Sequence, residues 1–259
     1  MSTKEANTNI FSQGAREAAS AVLTPKFLKY EITDEHNTLK KAEEVLKANH
    51  GLIVVTNHFS EQDSPRLIDA IFQNKTMGKK KLILPVAMHM DNPLYHLAGG
   101  ILGVSLMPIV TQSTIDKGLN EGHPKNYGFG KYIDKATNGL KKGEIVSFFP
   151  QGTRRPKLGQ PDPNNLALGP LMAKCRNLPE SAVLIATLGI KGITDYSQNK
   201  LKGEYIINLI SCLTFAQILT RAKEIAQRPE NLANKTKALR FADQVVFEEL
   251  AEGAPEGYL

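Results

Sequence analysis

Leu52-Ile53-Val54-Val55-Thr56 runs straight into Asn57-His58-Phe59-Ser60-Glu61-Gln62-Asp63, and then into Ser64-Pro65. The first five residues are nearly all apolar, and Ile53, Val54, Val55 and Thr56 are β-branched, which favours a strand over a helix. A strand without polar alternation is buried on both faces, and its sheet needs helices on each side. Gly51 ends the helical pattern before it, and Pro65 suits the first turn of a helix after it.

Runs of the same kind recur at Lys81 to Ala87, Gly103 to Val110, Glu144 to Phe149, Ala182 to Gly189 and Tyr205 to Ile210. Helical periodicity separates most of them, over Pro65 to Gln73, Asn92 to Gly99, Tyr127 to Leu140 and Leu166 to Arg176. Strands alternating with helices define an α/β class with a mostly parallel central sheet flanked by helices on both faces. The pattern from Asn7 to His50 reads as helical, with Ala15 to Leu23 and Asn37 to Ala48 as its two helices. At the other end, Phe215 to Gln227 and Pro229 to Ala251 are candidate helices. The division expected is therefore a helical segment over 1–50, an α/β core over 51–212 and packed helices over 213–259, together one compact domain. Gly118 to Gly130 and Lys157 to Asn165 are rich in Gly, Pro and Asn and read as loops.

The chain has 259 residues, 41% apolar and 22% charged, which excludes a disordered polypeptide. Its two cysteines, Cys175 and Cys212, are too few for a disulfide framework or a zinc site, so we expect reduced thiols. No apolar run approaches the roughly 18 residues of a membrane span, and Met1 to Val22 lacks the pattern of a secretory signal. The expected location is cytoplasmic or peripheral on a membrane. Net charge is +6, with basic runs at Lys79-Lys80-Lys81, Lys141-Lys142 and Arg154-Arg155-Pro156-Lys157. That balance favours an anionic partner such as a membrane surface or an acidic carrier protein. No nucleic-acid motif accompanies it, and no Trp or interleaved aromatics do either. Ile10, Phe11, Val22, Leu23, Phe27 and Leu28, flanked by Lys26 and Lys29, form a second candidate membrane contact.

Chemistry concentrates where strands end. His58 and Asp63 lie five positions apart on a short turn after a buried strand. A carboxylate on one imidazole nitrogen leaves the other as a proton acceptor of fixed tautomer, which is what a general base for a hydroxyl requires. About ninety residues later the strand Glu144 to Phe149 empties into Pro150-Gln151-Gly152-Thr153-Arg154-Arg155. A glycine turn with backbone N–H groups and guanidinium groups suits a phosphate. His89, Asp91 and His96 cluster in sequence, but Pro93 interrupts their helix and no further ligand follows, so no metal site is expected.

Asn57-His58-Phe59-Ser60-Glu61-Gln62-Asp63 resembles the H-x-x-x-x-D motif of the glycerolipid acyltransferases, which include glycerol-3-phosphate and 1-acylglycerol-3-phosphate acyltransferases. Phe149-Pro150-Gln151-Gly152-Thr153-Arg154 is similar to the F-P-E-G-T-R motif of that family, at a fitting distance. The resemblance covers about Leu52 to Gly192. It implies an O-acyltransferase in which His58 is the base and Asp63 orients it. The donor implied is an acyl-CoA or acyl carrier protein thioester, with no bound cofactor. The acceptor implied is a glycerophosphate- or lysophospholipid-like hydroxyl compound. Asn57, Gln151, Gly152, Thr153, Arg154 and Arg155 become the candidate substrate-binding residues. Three departures fall on acceptor recognition: Gln151 replaces the usual Glu, Gly103 to Gln112 lacks an Arg, and Leu184 to Gly189 lacks a Pro. They point away from a plain glycerophosphate acceptor. Two rival readings use the same residues. One is a thioester or ester hydrolase, for which no G-x-S-x-G elbow is present. The other is a lipid-binding protein without catalysis.

Overall fold

The computed structural model describes residues 30–259 apart from 61, 89–90, 92, 153, 162–165, 198–202 and 232–237. The helix expected over Ala15 to Leu23, the apolar N-terminal membrane contact, His89 and Thr153 lie outside the described residues. The strands are β1 (Tyr30–Thr33), β2 (Leu52–Thr56), β3 (Leu82–Ala87), β4 (Val104–Ile109), β5 (Ile145–Phe148), β6 (Ala182–Ile190) and β7 (Tyr205–Thr214). The helices are α1 (Thr38–Lys47), α2 (Asp63–Gln73), α3 (Pro93–Leu102), α4 (Gln112–Asp116), α5 (Phe129–Lys141), α6 (Leu168–Lys174), α7 (Phe215–Ala226) and α8 (Ala242–Glu252).

The strands form one sheet in the order β1-β7-β6-β2-β5-β3-β4. Every neighbouring pair is parallel except β6 and β7, so the class is the α/β one expected, with a mostly parallel sheet. β2 is central, and all five of its residues are buried, as its unbroken apolar run requires. The crossovers β2-α2-β3 and β3-α3-β4 step toward one edge, whereas β4-α5-β5 and β5-α6-β6 step back. Right-handed connections therefore cover opposite faces with the two sets of helices. α5 lies very close to the sheet: a Cβ on Gly139 would come within 2.4 Å of Ile83 Cδ1.

Two expectations need correction. Tyr30–Thr33, read as part of a helical stretch, is a strand paired with β7. It is four residues long and on the edge of the sheet, with Glu31 and Ile32 exposed, so neither propensity nor periodicity announces it. Pro229 to Ala251, read as one helix, contains two 3₁₀ turns, Pro229–Asn231 and Ala238–Phe241, before α8 begins. Both cysteines are free thiols, and burial pushes the Cys212 thiol up to about 11. Among the described residues no helix is long and apolar enough to cross a membrane.

One buried carboxylate helps to fasten the tail. Asp243 of α8 is buried and accepts hydrogen bonds from the backbone N–H groups of Ala167, Leu168 and Gly169 at 3.0 to 3.1 Å. These are N–H groups at the start of α6, which have no partner within their own helix. Asp243→Ala strands three buried donors, and should lower the unfolding free energy by about 3 kcal/mol, measured by urea titration at pH 7. A loss below about 1 kcal/mol would mean that α6 is capped by another route.

Candidate active site

Register decides which loops meet. β2 and β5 are neighbours with Val55 opposite Phe148, so Asn57-His58 and Phe149-Gln151 emerge side by side at the carboxyl end of the sheet. The chain then leaves β2 toward α2 and β5 toward α6, on opposite faces. A crevice between diverging loops at that end is where open α/β sheets bind ligands.

Asn57 extends the β2 pairing by side chain. Its amide donates to Leu188 O at 2.9 Å and accepts from Leu188 N–H at 2.6 Å, reproducing a backbone pair one residue past the strand end. His58 follows on the loop. Its Nδ1 is 2.9 Å from Asp63 Oδ2, and its ring stacks on Phe149 with centroids 4.1 Å apart. Asp63 is fully buried in the first turn of α2, where a carboxylate is favoured by the helix N-terminus. The same Oδ2 accepts from Phe59 N–H at 2.7 Å and Ser60 N–H at 2.8 Å, which folds the turn so that the carboxylate comes back to the imidazole. The imidazole is a donor at Nδ1 in this arrangement. Nε2 has no partner among the described residues, and the side chain is 17% exposed.

The loop after β5 is stitched to the same residue. His58 N–H donates to Gln151 Oε1 at 2.7 Å, and Arg155 N–H donates to His58 O at 2.8 Å. Gln151 is 3% exposed, and its Nε2 donates to Lys157 O and Leu158 O. Tyr258, fully buried, reaches in from the far end of the chain with its hydroxyl 3.1 Å from both Gln151 Oε1 and Arg155 O. Burial pushes that hydroxyl up to about 12, so it stays a neutral donor.

The sequence-derived site residues therefore divide. His58 and Asp63 form a hydrogen-bonded pair whose imidazole keeps partial solvent access. Gly152 lies exposed at φ 67°, closing the turn with its N–H on Phe149 O, and Arg154 is exposed beyond it. Arg155 is half-buried. Asn57 and Gln151, expected to touch substrate, turn inward instead: the amide of each is committed to protein partners, so both act as fasteners. Gln151 also explains its own identity, since the site needs an acceptor toward His58 and a donor toward two carbonyls, which a carboxylate cannot supply. No motif indicated Tyr258, Tyr205 or Arg66; Tyr258 and Tyr205 reach the loop only through the tertiary structure, whereas Arg66 sits three positions after Asp63 in α2. Asp91 and His96 are themselves paired at the surface, and among the described residues no cluster of three His, Cys, Asp or Glu side chains could hold a metal.

No protein-family model matches the chain, and no curated protein matches it in sequence.

Proposed function

We propose that this protein is an O-acyltransferase related to the glycerolipid acyltransferases, moving a fatty acyl group from an acyl-CoA or acyl carrier protein thioester to a hydroxyl of a phosphate-bearing lipid-like acceptor. The observation that carries this reading is the His58–Asp63 pair, its imidazole partly exposed and its Nε2 unpartnered among the described residues, joined to the loop that bears Arg154 and Arg155. Asp63 holds the Nδ1 proton, so Nε2 is the lone pair available to the acceptor. It removes the hydroxyl proton as the oxygen attacks the thioester carbonyl. The tetrahedral intermediate then collapses, the carbon–sulfur bond breaks, and the departing thiolate takes the proton from Nε2. No bound cofactor is called for, because the thioester arrives activated. Arg154 and Arg155 are suited to the acceptor's anionic group. The net charge of +6 favours an anionic membrane surface or an acidic carrier as partner.

The test is incubation of the purified protein with a labelled acyl thioester, alone and with lysophospholipids, glycerol phosphate and uncharged alcohols, followed by mass analysis of the products. We expect an acyl ester of a phosphate-bearing acceptor, with thiol release that depends on that acceptor. Thiol release without any acceptor would instead make the protein a thioesterase. No turnover with any combination would favour the non-catalytic, lipid-binding alternative.

A further inference from the structure

The strand pairing that joins the two site loops ends at Val55 and Phe148. Beyond that point Tyr258 bridges them. Its hydroxyl is 3.1 Å from both Gln151 Oε1 and Arg155 O, and 3.4 Å from His58 O. Gln151 Oε1 also receives the His58 N–H, and His58 O receives the Arg155 N–H, whereas Arg155 O has no second donor among the described residues. Arg155 is therefore held at both of its backbone groups, its N–H on His58 O at 2.8 Å and its carbonyl on the Tyr258 hydroxyl. Fixing both groups fixes the direction in which the guanidinium leaves the chain. Tyr258 is itself firmly seated: it is fully buried, and its ring packs edge-on against Phe59 and Tyr196 with centroids 5.9 Å and 5.3 Å away. Its carbonyl accepts from Leu158 N–H at 2.7 Å, so it grips the loop after β5 at a second place. Gly257 before it has φ 78°, and a Cβ there would come within 1.8 Å of Thr194 O, so only glycine lets the chain approach along this path.

We infer that Tyr258 is a positioning residue that fixes Arg155 against His58 and thereby gives the site its preference for a phosphate-bearing acceptor. The preference rests on the acyltransferase reading, but one arm of the test needs no turnover. His58 is held independently, by Asp63 on Nδ1 and by the stack on Phe149. Loss of the Tyr258 hydroxyl should therefore leave the base in place and free the Arg155 carbonyl, so that the guanidinium no longer meets an acceptor anion in one orientation. Uncharged acceptors, which have no use for the guanidinium, should not register the change.

The test is Tyr258→Phe in the full chain, which removes the hydroxyl and keeps the ring on Phe59 and Tyr196. By NMR-detected hydrogen exchange, the Arg155 amide should exchange about tenfold faster than in wild type. The Asn126 amide, which closes a different loop on Val110 O, should keep its rate. In acyl-transfer assays KM for a lysophospholipid should rise about tenfold, while kcat, and KM for an uncharged alcohol, stay within about twofold of wild type. A loss of folded protein would instead lower kcat for both acceptors alike and leave KM unmoved. Tyr196→Phe is the control, because its hydroxyl belongs to the same aromatic cluster but bonds Ile190 N–H and neither site loop; both readouts should match wild type. An Arg155 amide that keeps its wild-type rate in Tyr258→Phe, or KM values that move equally for the two acceptors, overturns the inference. A chain that transfers nothing with any acceptor sinks the acyltransferase reading instead, and the exchange rate then decides by itself whether Tyr258 holds Arg155.

Discussion

On the acyltransferase reading proposed above, His58→Gln should lower the rate of transfer by roughly 10³-fold while leaving the fold intact. The ring is partly exposed and stacks on Phe149, so its replacement by a side chain of similar length opens no large cavity in the core. What disappears is the Nε2 lone pair beside the loop carrying Arg154. The backbone of residue 58 keeps its two bonds, to Gln151 Oε1 and from Arg155 N–H, so the loops should stay joined. Acceptor binding should then change little, and the loss should appear in kcat with KM nearly constant. Asp63→Asn should be nearly as severe in kcat, because the amide still accepts from the turn but no longer offers a charge to the imidazolium. His36→Ala is the control, since that residue is exposed on the turn after β1, which runs opposite to β2 and so ends at the other end of the sheet; its activity should match wild type within about twofold. A His58→Gln enzyme that kept a tenth or more of wild-type kcat would remove His58 from the mechanism.

The strands that carry the site were legible because they are buried on both faces. Leu52–Thr56, Ile145–Phe148 and Ala182–Ile190 have no polar alternation, and that composition survives any arrangement of the neighbours. Tyr30–Thr33 was not legible because an edge strand is half-solvated and owes its state to its pairing with β7. The antiparallel turn of β7 against β6 is likewise a matter of connection geometry, invisible to a reading of period. For the site, His58 and Asp63 could be found by spacing because one tight turn joins them. Tyr258, 200 positions from His58, could not, and neither could Tyr205: each meets the loop only after the sheet has formed. Asn57 and Gln151 were found but assigned to substrate, since sequence does not tell which way a polar side chain at a strand end turns.

Gln151→Glu, which restores the residue found in the motif that this loop resembles, should destabilise the protein by about 3 kcal/mol at pH 7. The amide orientation is forced by its neighbours. Oε1 faces two donors, His58 N–H and the Tyr258 hydroxyl, while Nε2 faces two acceptors, Lys157 O at 3.0 Å and Leu158 O at 3.2 Å. A carboxylate satisfies the first pair and sets a second oxygen against both carbonyls, in a position that water does not reach. The new group can escape only by staying protonated and donating to one of them, so its folded-state pKa must rise above the unfolded value of about 4.3. A raised carboxyl pKa gives a definite sign. Relative to wild type at the same pH, the variant is least impaired below the unfolded pKa, where both states hold the proton. The deficit then grows as pH climbs toward the folded pKa, and is constant above it. Urea unfolding of both proteins between pH 4 and pH 8 measures this directly. Equal stability across that range would mean that the loop after β5 rearranges to accept a charge, and that the link from Gln151 to His58 is not what holds the two loops together. A deficit that widens with pH would instead tie the identity of residue 151 to that link, and would explain by hydrogen-bond polarity alone why this chain carries an amide there.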